Sequence, residues 1–144
     1  MTNREFIEKA FYGNTSRFSH NSLCSDGNGN IYSYGAHYPL LFRCDDFTDL
    51  VFINTTGYSN TTSKHINHAW AAVDYKAIAI KMNGARISNG FTLVDAQRLL
   101  EAEAQELRNT MATKKRKDTA VYHDLEGRLQ TVNIYIRQVK EAQE

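Results

Sequence analysis

Residues 121–139 read VYHDLEGRLQTVNIYIRQV, and their apolar positions decide the fold of the second half of the chain. Six aliphatic residues in this stretch follow one another at steps of 4, 4, 3, 4 and 3. That spacing aligns them along one side of an α-helix, close to the seam of a coiled coil. The six are Val121, Leu125, Leu129, Val132, Ile136 and Val139. The sequence therefore predicts a long helix whose apolar side must be covered.

A second amphipathic helix is predicted just before this one. Thr92, with Asp95 three residues later, is typical of a helix start. Five residues then keep one face apolar: Ala96, Leu100, Ala104, Leu107 and Met111. We expect the two helices of residues 92–144 to fold back on each other as an αα-hairpin.

The length of the predicted seam favours self-association. Two paired helices of this length would carry more apolar surface than a small sheet covers, and such leftover surface commonly forms a dimer interface. We therefore expect a homodimer through residues 92–143. The alternative is that the hairpin packs across the back of the sheet within one chain.

A cluster of four cations lies between the two predicted helices. Lys114, Lys115, Arg116 and Lys117 follow one another directly. Such a basic tip is suited to contact nucleic-acid phosphates or an acidic surface on a partner protein. The alternative is a solvated loop, because acidic residues on both flanking helices reduce the wider positive field.

The first 91 residues have a different pattern, which is aromatic and mainly β. Thirteen of the sixteen aromatic residues lie within the first 75 positions. A capping box at Thr2–Glu5 predicts a short first helix. Between Phe18 and Asn54 we expect strands Phe18–Ser25, Ile31–Gly35, Leu40–Arg43 and Leu50–Ile53, with a turn at Asp26–Asn30 and an interruption or sheet edge at Pro39.

The chain between residues 54 and 91 is predicted to add a helix and a final hairpin. Ile66, Trp70 and Val73 recur at helical spacing, which predicts a short helix over Lys64–Val73 capped by a Thr or Ser. A strand over Tyr75–Met82 and a turn at Asn83-Gly84 follow. The prediction is thus a single α+β domain of residues 1–144: an antiparallel β-sheet with short helices, then a C-terminal αα-hairpin.

Composition restricts the class of protein. The chain has 144 residues, of which 17 are basic and 16 acidic, so its net charge does not indicate a nucleic-acid binder. The polar N-terminus and the absence of an apolar run of about 18 residues argue against a signal peptide or membrane span. Cys24 and Cys44 are then expected to be reduced thiols. We predict a cytoplasmic protein without a cofactor.

The segment from Thr61 to His68 is the main candidate binding site. Hydroxyl groups and free backbone amides at a helix N-terminus, with a lysine and a histidine nearby, suit a phosphate or another anion. The candidate residues are Thr61, Thr62, Ser63, Lys64, His65 and His68. The alternative is an ordinary helix cap with exposed polar residues.

The histidines raise two further hypotheses. His65 and His68 are spaced to share one side of a helix, but no Cys, Asp or Glu accompanies them at a spacing typical of zinc sites, so we predict no metal. A catalytic hypothesis pairs His20 or His37 with His65 as general base and acid, with Lys64 stabilising a phosphorane-like state. That arrangement would make the protein a metal-independent nuclease.

Two stretches resemble a pattern found in small uncharacterised bacteriophage proteins. They are Tyr32-Ser33-Tyr34-Gly35-Ala36-His37-Tyr38 and Tyr58-Ser59-Asn60-Thr61-Thr62-Ser63-Lys64-His65. The resemblance covers roughly residues 15–70 and implies a viral protein that acts on the host. By analogy with small phage proteins we expect a non-enzymatic accessory protein that binds a host protein, such as a component of CRISPR or another bacterial defence system. The alternatives are a nucleic-acid or nucleotide-binding module and the histidine-dependent nuclease.

Overall fold

The computed structural model describes residues 2–12, 18–26, 30–33, 38–44, 47–56, 60–74, 76–82 and 91–144. The chain divides into two compact units, Met1–Phe91 and Thr92–Glu144, and the division falls where the hydrophobic period of the sequence changes. The predicted turn at Asn83-Gly84 and the returning half of the final hairpin lie outside the described residues.

The described elements confirm the predicted α+β fold, a mostly antiparallel sheet with long C-terminal helices that pack together. The first unit contains α1 (Asn3–Tyr12), β1 (Phe18–His20), β2 (Leu23–Ser25), β3 (Ile31–Ser33), β4 (Tyr38–Cys44), β5 (Phe47–Asn54), α2 (Asn60–Ala72) and β6 (Ile78–Ile80). The second contains α3 (Leu93–Ala112) and α4 (Ala120–Ala142). Among the described residues, no helix has the length and apolarity needed to cross a lipid bilayer.

The six strands form one sheet in the order β1-β2-β3-β4-β5-β6. Neighbouring strands are antiparallel except for β5 and β6, which are parallel, with Phe52 opposite Ile78 and Asn54 opposite Ile80. The parallel pair requires a crossover, because a tight turn reverses chain direction, and α2 is that crossover. The sequence did not predict this βαβ unit.

Two local predictions in the sheet were wrong. The expected single strand Phe18–Ser25 is a hairpin of β1 and β2, because Asn21 adopts a φ of 55° and turns the chain. Asn tolerates this left-handed conformation better than most residues. Pro39 does not interrupt the sheet: it lies inside β4 opposite Tyr32, beside a register shift between Ile31 and Tyr32. A bulge accommodates the missing proline amide.

Helices α1 and α2 contribute to one hydrophobic core with strands β2 to β5. Its α1 members are Phe6, Ile7, Ala10 and Phe11, which form the buried side of that helix. Ile53 of β5 also belongs to this core. Its neighbour Phe52 points to the opposite face of the sheet, as successive strand residues do, and there stacks on Phe42 and meets Phe91 edge-on.

The helical unit confirms the predicted hairpin. Thr92 and Asp95 form the capping box that begins α3. The buried residues of α3 are Ala96, Leu100, Glu103, Ala104 and Leu107, and those of α4 are Leu125, Val132 and Val139. The predicted seam was wrong at its start: Val121 is 59% exposed, while Tyr122 is half-buried and restores a regular 3-4 spacing with Leu125.

Polar contacts join the two helices of the hairpin. Glu103 is only 8% exposed, and its Oε1 lies 3.5 Å from Nη2 of Arg128. Nearer the ends, Lys140 lies 3.6 Å from Glu101, and Gln143 donates to Oε1 of Gln97 at 2.7 Å. The apolar pattern of α3 gave no indication of the buried Glu103 within it.

Candidate functional site

The candidate anion-binding segment lies in the first turns of α2, directly after β5. The helix begins at Asn60, four residues before the predicted start at Lys64, so Thr61, Thr62 and Ser63 are helical. The amides that lack an intrahelical partner therefore belong to the residues around Asn60 to Thr62. Because α2 connects the parallel strands β5 and β6, its N-terminus lies at their carboxyl ends.

The six candidate residues of this segment do not share one face of the helix. Thr62 and His65 are buried, at 0% and 2% exposure. Thr61, Ser63 and Lys64 are exposed, and His68 is half-buried. The helical period therefore separates the segment into an inner pair and an outer polar set. Only the outer set is accessible to a ligand or a partner.

His65 makes a buried hydrogen bond with the sheet. Its Nδ1 lies 2.8 Å from Oγ of Ser33, the last residue of β3, and Ser33 has no exposed surface. Burial lowers the pKa of His65, and the nearby His68 lowers it further. Both effects favour the neutral imidazole, so the hydrogen bond of His65 links α2 to β3 without a buried charge.

A second polar cluster surrounds the end of β5. The hydroxyl of Tyr38 lies 2.9 Å from the carbonyl oxygen of Asn54 and 2.6 Å from that of Thr56. Burial raises the pKa of Tyr38 to about 12, so the hydroxyl stays protonated and donates. Oδ1 of Asn54 accepts from the amides of Thr56 and Met82. These contacts tie the carboxyl end of β5 to the chain that follows β6.

The histidines proposed as a catalytic pair have separate surroundings. His20 lies in β1, where its ring stacks on Phe6 at 5.8 Å and its Nε2 is 3.3 Å from Nδ2 of Asn21. His65 bonds to Ser33 instead. His37 lies outside the described residues. Within the parts of the chain that the structure describes, no group of three or more His, Cys, Asp or Glu side chains could hold a metal ion.

The four cations of the basic tip lie in the turn between α3 and α4. Arg116 makes an ion pair with Asp118 at 3.2 Å, and both side chains are more than 70% exposed. The ammonium group of Lys117 lies 5.1 Å above the ring of Tyr122. Lys114 is half-buried and Lys115 is exposed. The tip thus presents its charge to solvent, although part of it is balanced within the loop.

No protein family, curated protein or solved structure matches this chain.

Proposed function

We propose that this chain is a phage-type accessory protein that acts by binding, without catalysis, and that it blocks a component of a bacterial defence system such as CRISPR. Its place of action on this proposal is the cytoplasm of the host cell. The phage-like pattern in residues 32–38 and 58–65 motivates the viral origin. Binding rather than catalysis is inferred from the burial of His65.

The observation that carries the proposal is the burial of His65. A general base must reach the proton that it removes. His65 is 2% exposed and already bonds to Ser33, so its contribution is to packing. The outer side of the same helix presents Thr61, Ser63 and Lys64 to solvent. These groups are suited to contacts with a partner surface.

The mode of action is tested by the stoichiometry of inhibition. Separate bacterial strains, each of which carries one defence system, are infected with phage in the presence and absence of the protein. The plating efficiency of the phage is measured for each strain. With the system that responds, we expect the purified protein to inhibit only when it is at least equimolar with its target. Failure to raise plating in any system would end the anti-defence proposal, and inhibition at a small fraction of the target concentration would end the non-enzymatic one.

Variants identify the surface that binds. We expect Lys64→Glu to weaken inhibition, because it reverses a charge on the outer side of α2. His20→Gln serves as a matched control, since it removes a candidate catalytic group away from that helix. Loss of inhibition with His20→Gln, but not with Lys64→Glu, would contradict the proposed surface and favour the nuclease.

A nucleotide or nucleic acid is the second candidate target. It is favoured by the position of the α2 N-terminus at the carboxyl ends of the parallel strands β5 and β6. We expect single-stranded RNA or DNA, or a free nucleotide, to bind more weakly as salt rises and after Lys64→Ala. Lys76→Ala is the control, because this exposed lysine follows the other end of the helix. An affinity that does not change with salt concentration or with Lys64→Ala would contradict this candidate.

The proposal includes a homodimer through residues 92–143. The long apolar seam of α4 first suggested it, and three apolar side chains of the helical unit remain exposed: Val94, Val121 and Ile134. Light scattering during gel filtration at high concentration tests the dimer. A monomer throughout would remove this part of the proposal and leave the target-binding part standing.

A further inference from the structure

The outer face of α4 carries a pattern that is complementary to itself. This face is defined here by His123, Glu126, Gly127, Ile134, Arg137 and Glu141. It lies away from the residues of α4 that are buried in the hairpin, which repeat at Leu125, Val132 and Val139. Glu126 is half-buried, and the other five residues are exposed.

The centre of the face combines a protruding side chain with a space that could receive it. Ile134 is 46% exposed, although isoleucine is usually buried. Gly127 lies seven residues earlier, two helical turns away, and a Cβ at that position would meet no atom within 4 Å. A helix of a second copy can therefore approach the backbone closely at Gly127, and the isoleucine of that copy would fill the space.

The charges on one flank of the face select the orientation of such a pair. Glu126 and Arg137 are eleven residues apart, about three turns, so they lie on the same flank. Two antiparallel helices related by a two-fold axis bring the same flanks together. Glu126 of each copy, whose Oε1 lies 3.1 Å from Nδ1 of His123 in its own chain, then faces Arg137 of the other copy, and His123 faces Glu141. Arg137 has no ion-pair partner among the described residues of its own chain.

These three pairs fit a single two-fold axis. The midpoints between Gly127 and Ile134, between Glu126 and Arg137, and between His123 and Glu141 all fall between residues 130 and 132. At about 1.5 Å per residue, the three midpoints lie close enough together along the helix axis for side-chain flexibility to accommodate the differences. A parallel pair would instead join opposite flanks and place no acidic residue against Arg137.

We propose that the outer face of α4 binds the same face of a second copy of this chain, antiparallel and about a two-fold axis near Thr131. This inference rests on the proposed homodimer and specifies its interface. One isoleucine and one flanking Glu126–Arg137 ion pair per copy form a small contact, so we expect a weak dimer with a dissociation constant above roughly 1 μM. Its stability should fall as salt rises, because the flanking pairs are exposed.

Charge reversal in the full chain, followed by sedimentation equilibrium up to about 1 mM protein, tests the interface. Arg137→Glu and Glu126→Arg should each weaken the dimer roughly tenfold, because two sites per dimer then hold like charges. The double variant should restore most of the affinity. Ile134→Asp should weaken the dimer at least as much as one reversal. Arg108→Glu is the control, since this exposed arginine lies on α3 and should leave the dimer unchanged.

The outcomes separate the interface from the dimer itself. Recovery in the double variant, with sensitivity to Ile134→Asp, supports the antiparallel α4 contact. A dimer that is insensitive to all of these changes would overturn this interface while preserving the homodimer. A monomer at every concentration would overturn both. Circular dichroism of each variant confirms that the helices remain folded, so that loss of the dimer is not loss of structure.

Discussion

Removing the hydroxyl of Ser33 provides a direct test of the contact that fastens α2 to the sheet. Ser33→Ala leaves Nδ1 of His65 buried without a partner, because the two atoms lie 2.8 Å apart and both residues are almost completely enclosed. Leaving one buried polar group unsatisfied costs about 1–3 kcal/mol, whereas a satisfied hydrogen bond contributes about 1 kcal/mol net. We therefore expect the free energy of unfolding to fall by about 2 kcal/mol.

The partner variant and the double variant distinguish a hydrogen bond from simple packing. His65→Leu should also destabilise the chain, because it leaves the Ser33 hydroxyl buried alone. The double variant removes both polar groups, and its loss should be smaller than the sum of the two single losses by about 1 kcal/mol or more. Urea titration measures the free energy of unfolding of all three variants. The comparison requires that the slope of this free energy against urea concentration is unchanged. Strict additivity, or a Ser33→Ala loss within about 0.5 kcal/mol of zero, would refute the reasoning.

The same contact predicts how stability depends on pH. The folded state lowers the pKa of His65 through burial and through His68. As the pH falls below about 6.5, the unfolded chain therefore takes up a proton before the folded chain does. The contribution of His65 is fully present above that pH and is lost as the pH falls toward the folded pKa. His65→Leu should flatten this part of the profile, and a profile of unchanged slope in that variant would contradict the assignment to His65.

Two backbone positions and one helix cap predict the effects of further substitutions. Asp74→Gly should stabilise the chain by up to about 1 kcal/mol, since Asp74 is exposed after α2 with a φ of 54°, whereas Asp74→Ala should not. Gly127→Ala, measured in dilute solution, should stabilise α4 by about 1 kcal/mol, because the added methyl group meets open space. Thr92→Ala should destabilise by about 1 kcal/mol through loss of the capping box at α3. Thermal and urea unfolding measure each change, and the opposite sign would contradict it.

Regular periodicity explains which parts of the fold could be predicted from the sequence. Helices α1, α3 and α4 each carry an apolar stripe, α3 begins with the predicted capping box, and at α1 the amide of Glu5 donates to Oγ1 of Thr2, so local sequence was sufficient. The direction of β6 was not predictable in the same way. A strand that returns by a hairpin and one that returns by a crossover have the same local pattern, and the length of α2 decides between them.

The sequence indicated that the candidate residues lie near the start of a helix, but it did not predict how that helix would arrange them. The candidate residues from Thr61 to His68 form one set because they are neighbours in the sequence. A helix that begins at Asn60 places them on different sides. A signal for this division was present: Thr62, His65, Ala69 and Ala72 recur at helical spacing and are all buried. The partner of His65 could not be found from local sequence. Ser33 lies 32 residues earlier, and only the folded sheet brings the two together.

The burial of Thr62 and His65 has a consequence for how α2 can function. Because the inner side of the helix is fixed by the core and by Ser33, the outer residues Ser63 and Lys64 are held on a rigid element rather than on a loop. Rigid presentation lowers the entropy that a contact surface loses on binding. It also makes the two sides separable by mutation. Substitutions at Lys64 should change binding with little effect on stability, and Ser33→Ala should lower stability while the outer surface remains chemically intact.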